Sequence, residues 1–186
     1  MRPRPRLLLA AAAFAASAAG AAGGEPRVLE LEDGRRIEYV LYRHAPDAHV
    51  RTPAAALAPD SALNSARLLN LHLSTGDLEE AAVLSNAPRR RFEVLQQYRR
   101  EVGDEEFKRV FAQYLDPGNR LVAEFAIGRH RLLVWELRAA GDAPAHLAGQ
   151  YFVEVEGRYL LDDVPGETRA MLRRVLEALR AGRLRP

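Results

Sequence analysis

Between Ala148 and Val164 the chain reads Ala-Gly-Gln-Tyr-Phe-Val-Glu-Val-Glu-Gly-Arg-Tyr-Leu-Leu-Asp-Asp-Val. Tyr151, Val153 and Val155 share one side of an extended segment, and Gln150, Glu154 and Glu156 share the other. Successive strand residues point to opposite faces, so this pattern predicts a half-buried strand. Glu156-Gly157 predicts a tight turn, because glycine accepts the positive φ of a two-residue hairpin loop. Tyr159 to Leu161 then returns as a second strand. Upstream, Leu121, Ala123, Phe125 and Ile127 alternate up to Gly128, and Leu133, Trp135 and Leu137 alternate after it. Ala140 to Ala145, with Gly141 and Pro144, predicts a loop. The stretch from Arg120 to Val164 therefore predicts a sheet, and the segments before it supply helices to cover it.

Those helices carry local start and stop signals. Asp60 is the expected N-cap of a helix whose Leu63, Ala66, Leu69 and Leu73 recur at helical spacing. Gly76 ends it, and Asp77 with Glu80 has the spacing of a capping box for a short helix from Leu78 to Leu84. Pro88 opens a third helix with Phe92, Leu95, Tyr98 and Val102 on one face. Gly103-Asp104 repeats the stop-then-cap pattern before a fourth, carrying Phe107, Val110, Phe111, Tyr114 and Leu115. After Pro165-Gly166, Glu167 to Ala181 forms a last helix, with Met171, Leu172, Val175, Leu176 and Leu179 on one side. Near the other end, Asp33-Gly34 joins two alternating runs and predicts a hairpin over 27–43, which needs something to dock on. Ala45 to Pro59, with three prolines among alanines, reads as an extended linker or a short crossing segment on the surface. The fold class expected is α+β: N-terminal helices on a curved antiparallel sheet, an N-terminal hairpin and a C-terminal helix, the main domain spanning 60–182.

The first residues stand apart. Arg2, Arg4 and Arg6 precede an apolar run from Leu7 to Ala16, and Ala19-Gly20-Ala21 fits a small-residue cleavage site. Together they read as a secretory signal peptide over 1–22, cleaved near Ala21, of a periplasmic or secreted protein. Membrane contact is then expected through export alone. The chain has 27 basic and 25 acidic residues. Cleavage removes three arginines and leaves 24 against 25, so the mature domain is near neutral and nucleic acid is not an expected partner. With no cysteine, thiolate metal sites, cysteine nucleophiles and a lipid-modified cysteine are all excluded, and a core must hold the domain. An apolar fraction of 48% suffices for that.

Helices followed by an antiparallel meander, with the late Glu156-Gly157-Arg158-Tyr159-Leu160-Leu161-Asp162-Asp163 turn and strand, resemble the nuclear-transport-factor-2-like superfamily. Gly76-Asp77-Leu78-Glu79-Glu80 also looks like that family's short second helix. The resemblance spans roughly Asp60 to Val164. It implies a cone in which helices pack into the concave side of the sheet, in a family of isomerases, dehydratases and non-catalytic binding domains. Three departures stand out: no strand between the early helices, a helix after the last strand, and an extra hairpin in front. The family's catalytic roles have no counterparts placed residue by residue here.

Candidate site residues follow from chemistry and position. Tyr98, Phe125, Trp135 and Tyr151 are large aromatics expected to face one interior, as core or as the lining of a small apolar site. His72 lies beside the Leu69 and Leu73 stripe, as a satisfied half-buried histidine or a general base. His44, His49, His72, His130 and His146 show no metal-ligand spacing, so no metal is expected, and no cofactor motif is present. Ser61, Ser65, Ser74 and Ser85 lack the context of a nucleophile. Asp162 and Asp163, adjacent on a strand, should diverge to opposite faces. Arg89, Arg90 and Arg91 crowd a helix start, where cations oppose the positive helix end. They are either neutralised by Glu93 or by an acid from another element, such as Asp77 or Glu80, or they meet an anionic partner. Two function classes result: a binding or interaction domain for a protein or small molecule, with a homodimer through the sheet as one arrangement, and a cone-type isomerase or hydrolyase.

Overall fold

The computed structural model describes residues 23–45, 47–51, 53–138 and 144–186. The expected signal peptide and most of the Ala140–Ala145 loop lie outside them. The described strands form one open antiparallel sheet in chain order, β1 (Glu25–Glu30), β2 (Arg36–Tyr42), β3 (Arg120–Ile127), β4 (His130–Leu137), β5 (His146–Val155) and β6 (Arg158–Leu161). The hairpin is therefore the edge of the main sheet: β2 aligns Val40 with Ala126 and Leu41 with Phe125. At the far end, Glu156 and Gly157 have φ of 51° and 76°, the two positive values that a tight two-residue loop demands.

Five helices and short 3₁₀ turns fall between β2 and β3: α1 (Ala48–Arg51), α2 (Ala62–Thr75), α3 (Leu78–Ala82), α4 (Pro88–Val102) and α5 (Asp104–Ala112). The chain after β6 adds α6 (Glu167–Arg180). Two caps sit one residue from their expected places. Ser61, not Asp60, caps α2, its hydroxyl accepting the Asn64 N–H at 3.2 Å, while Asp60 takes the Asn64 side-chain amide. Gly103, not Asp104, caps α5, and the Asp104 carboxylate is held instead by Arg99 and Lys108.

Both faces of the central strands are covered. On one, α6 lays Leu172, Val175, Leu176 and Leu179 over Tyr39, Leu41, Phe125, Leu132 and Val134. On the other, Ala62 and Ala66 of α2 meet Leu121, Leu133, Trp135 and Phe152. A third cluster ties the helices together through Leu69, Leu73, Leu78, Leu95 and Phe107. The large aromatics accordingly do not share one interior. Trp135 lies under α2, Phe125 and Tyr151 lie on the α6 side, and Tyr98 and Phe111 belong to the helical cluster. The physical reason is in β4: Leu132 and Val134 are as apolar as Leu133 and Trp135, so neither face can be left in water. With both faces taken, a partner reaching the central sheet meets an edge, not a face.

The Ala/Pro segment contains regular structure. It holds α1 and a 3₁₀ turn over Ala54–Ala56, and His49 is buried edge-on against Trp135 at 5.7 Å. Among the described residues, neither ring nitrogen of His49 has a hydrogen-bond partner. A buried polar group without a partner costs about 1–3 kcal/mol. His49→Leu is therefore expected to raise stability by about 1 kcal/mol, read as a higher urea midpoint at unchanged slope. A lower midpoint would show that the imidazole contributes through the Trp135 ring.

Candidate functional site

The short strand β6 ends at Leu161, and the backbone beyond it is gathered in by polar side chains. Leu84 accepts the Leu161 N–H at 2.7 Å, and Leu161 accepts the Asn86 N–H at 3.0 Å, so residues 84–86 form a further short rung outside β6. This places Ser85, Asn86 and Arg91 around the two aspartates. Asp163 accepts from the Ser85 hydroxyl at 2.6 Å and from Arg91 Nε at 2.7 Å, with a second bond from Arg91 Nη2. Asp162 accepts from the Asn86 side-chain amide at 2.9 Å and lies 3.0 Å from His130 Nδ1. Both aspartates lie beyond the end of β6, not on a strand, and although their carboxylates have separate partners, both border the same cleft. Asn86 bridges them, its Oδ1 accepting the Asp163 N–H at 2.8 Å.

Beside this cluster opens a cleft of about 260 Å³, bordered by α2, α4, α5, β5 and the start of α6. Its floor carries a polar relay. Trp135 Nε1 donates to Gln150 Oε1 at 2.9 Å, and Gln150 Nε2 donates to Asn70 Oδ1 at 3.1 Å. Asn70 is buried, and its amide needs these partners. Tyr114, Phe111, Tyr151, Arg91 and Arg169 complete the walls. Burial raises the phenol of Tyr114 above its ordinary value. It also raises that of Tyr151, against the opposing pull of Arg169, Arg180 and Arg173. The Arg169 guanidinium stacks over the Tyr151 ring at 5.5 Å.

Of the candidate residues singled out by sequence, Tyr151, Arg91, Asp162 and Asp163 reach this cleft. Phe125 is sealed in the core against Tyr39, and Trp135 touches the cleft only through Gln150. Tyr98 packs on Phe107 and Phe111. His72 lies at the end of α2, its Nδ1 3.5 Å from Asp77 Oδ2. Arg89 and Arg90 are exposed, whereas Arg91 is paired with an acid from another element, Asp163 after β6, in place of Asp77 or Glu80. Asn70, Gln150 and Tyr114 are the cleft residues that sequence reasoning missed. The available signals were an asparagine between Leu69 and Leu73 on a buried helix stripe, and a glutamine between Ala148 and Phe152 on a strand face.

The arrangement limits the chemistry. Ser85 and His130 serve different carboxylates, so the serine is not paired with the imidazole. Its hydroxyl donates to Asp163 and accepts the Ala87 N–H at 3.0 Å. No group of His, Asp or Glu with metal-holding geometry occurs among the described residues, nor a helix long and apolar enough to cross a membrane. No protein-family model, curated protein or solved structure matches the chain. A functional reading therefore rests on the cleft itself.

Proposed function

We propose that the chain is an exported, non-catalytic binding domain whose ligand contacts the cleft beside β6. One observation carries this reading: the two carboxylates that border the cleft are committed to intramolecular partners. Asp163 is held by Arg91 and Ser85, and Asp162 by Asn86 and His130. Such groups fix a shape and present amides, phenols and guanidinium edges, which suits recognition. A general base or nucleophile needs a lone pair or proton free for the substrate. The apolar sequence ahead of Gly23 supports export, with cleavage near Ala21.

A second reading, a cone-type isomerase or hydrolyase, is favoured by His130. An imidazole oriented by a buried carboxylate is the arrangement of a general base. Against it, His130 is not among the residues that border the cleft. The kinship with the nuclear-transport-factor-2-like superfamily is likewise a proposal. The meander and its Glu156-Gly157 turn support it, and the helix α6 on the second sheet face counts against it.

The test is made on the chain purified from its own host. Mass spectrometry should place its N-terminus between Ala19 and Glu25. It should bind a component of the extracytoplasmic extract saturably, the binding should be lost in Tyr114→Ala, and pooled isomerase and hydrolyase substrates should show no turnover. Turnover abolished by His130→Asn in a folded variant would overturn the binding-domain reading in favour of the second.

A further inference from the structure

The strand β5 runs for ten residues, and β6 pairs with four of them, Phe152 to Val155. Backbone direction alternates along a strand, so the outward-facing groups can be assigned. Glu154 N–H points inward, to Arg129 of the β3–β4 turn. Tyr151 C=O points outward, where it accepts the Asp162 N–H at 2.8 Å. Leu147 C=O also points outward, where Arg180 Nη2 reaches it at 2.7 Å. Gly149 lies between them on the same side. Its N–H and C=O face the edge, and among the described residues no strand is laid against it.

Hollows open along this edge. The cleft already described includes Gly149, Gln150 and Tyr151, and a second hollow, of about 400 Å³, is lined by Ala145, His146, Leu147, Arg180 and Glu136, whose carboxylate is paired with Arg120. Both edges of a sheet invite a further strand, and proteins usually blunt them. The opposite edge, β1, is blunted by Pro26 and by Glu25, Arg27 and Glu30. Leu147-Ala148-Gly149-Gln150 has neither proline nor charge.

Charge selects the occupant. Arg169, Arg173, Leu176 and Arg180 are spaced by four, three and four residues, one stripe of α6. The stripe follows β5: Arg169 stacks on Tyr151, Leu176 lies over Gly149, and Arg180 holds Leu147. A Cβ at Gly149 would come within 2.6 Å of Leu176 Cδ2, so the glycine lets the stripe approach the strand. Arg173 has only a loose, solvent-exposed contact of 3.9 Å with Glu177. Arginines thus line a strand edge whose main-chain groups lack a partner strand.

Resting on the binding-domain reading, we propose that the free edge of β5 takes up an extended acidic peptide as an added strand. The peptide's backbone pairs with Gly149, and its carboxylates meet Arg169 and Arg173. Main-chain bonds would supply affinity and the arginine stripe would supply selectivity, as in other cases of strand addition.

The probe is a fluorescein-labelled peptide of alternating glutamate and valine, read by anisotropy. Controls are a lysine–valine peptide and the acidic peptide N-methylated at alternate residues. The acidic peptide should bind at least about ten-fold tighter than either control. Binding should weaken with salt, and the Gly149 amide should gain protection from hydrogen exchange. Arg169→Glu with Arg173→Glu should weaken the acidic peptide by about ten-fold or more, with an unchanged circular-dichroism spectrum and melting midpoint. Equal binding of the N-methylated peptide, an unaffected Gly149 amide, or no saturable binding of the acidic peptide would each overturn strand addition. If the peptides fail while the extract component binds, strand addition falls and the binding domain stands. If a substrate turns over while the acidic peptide still binds through Gly149, the reverse holds.

Discussion

Phe107→Ala is expected to lower the stability of the fold by about 3–5 kcal/mol, the usual range for truncating a fully buried phenylalanine. Phe107 has no exposed surface. It sits 4.9 Å from the Phe111 ring and 5.7 Å from the Tyr98 ring, centroid to centroid. Around these rings lie Leu69 and Leu73 of α2, Leu78 of α3 and Leu95 of α4. One side chain therefore joins four helices, of which α2 alone rests on the sheet through Ala62 and Ala66. Neighbours held by three other helices cannot collapse fully into the vacated volume, and the cavity term adds to the lost transfer energy. Urea unfolding followed by circular dichroism measures the effect, with the exposed Val94→Ala as a control expected within about 0.5 kcal/mol of the parent. A loss below about 1 kcal/mol for Phe107→Ala would mean that α4 and α5 contribute little to the cooperative unit.

The second large effect concerns Asp163. Its side chain is 12% exposed and that of Arg91 is 23% exposed, so water screens the pair poorly. Asp163→Ala leaves the Arg91 guanidinium half-buried without its counter-charge and removes the acceptor of the Ser85 hydroxyl. Breaking a buried pair from one side costs about 3–5 kcal/mol, and the partial exposure here places the expectation at about 3 kcal/mol. Replacing both partners, Asp163→Ala with Arg91→Met, should recover much of that loss, because no charge is then stranded. Arg89→Gln and Arg90→Gln should each stay within about 0.5 kcal/mol of the parent. Equal effects at all three arginines would contradict the separation of Arg91 from its neighbours.

Much of the fold was legible because local chemistry and global packing agree. Gly76 and Asp77, Pro88, Glu156-Gly157 and the alternation in β3 and β4 each carry a local reason for a turn, cap or strand. What stayed hidden depends on which elements cover which face. In β5 the Gln150 face looked solvent-directed, flanked as it is by Glu154 and Glu156. Yet Phe152 and Ala148 lie on that face and are buried under α2. A period of two shows that faces differ, but it cannot show that both are covered. Arg91 was hidden for a related reason. Its partner is 72 residues away in the chain, and the only acids a helix can propose for itself are those within a turn. The cleft depends on the same long-range juxtaposition, since α2, α4, β5 and β6 each bring one wall.

The position of α6 has a consequence for the order in which the molecule can be assembled. Chains fold as they emerge, N-terminal parts first. The strands β1 to β4 pair in chain order, β2 meeting β3 across the helical segment between them, and all four precede α6 in the chain. Tyr39, Leu41, Phe125, Leu132 and Val134 nevertheless stay bare on one side until Leu172, Val175 and Leu176 have been delivered. A nascent chain halted before Glu167 would hold a paired sheet with an oily face and an open edge at β5, the state most prone to self-association. The closing helix thus acts as a timer: final compaction waits for the last segment described.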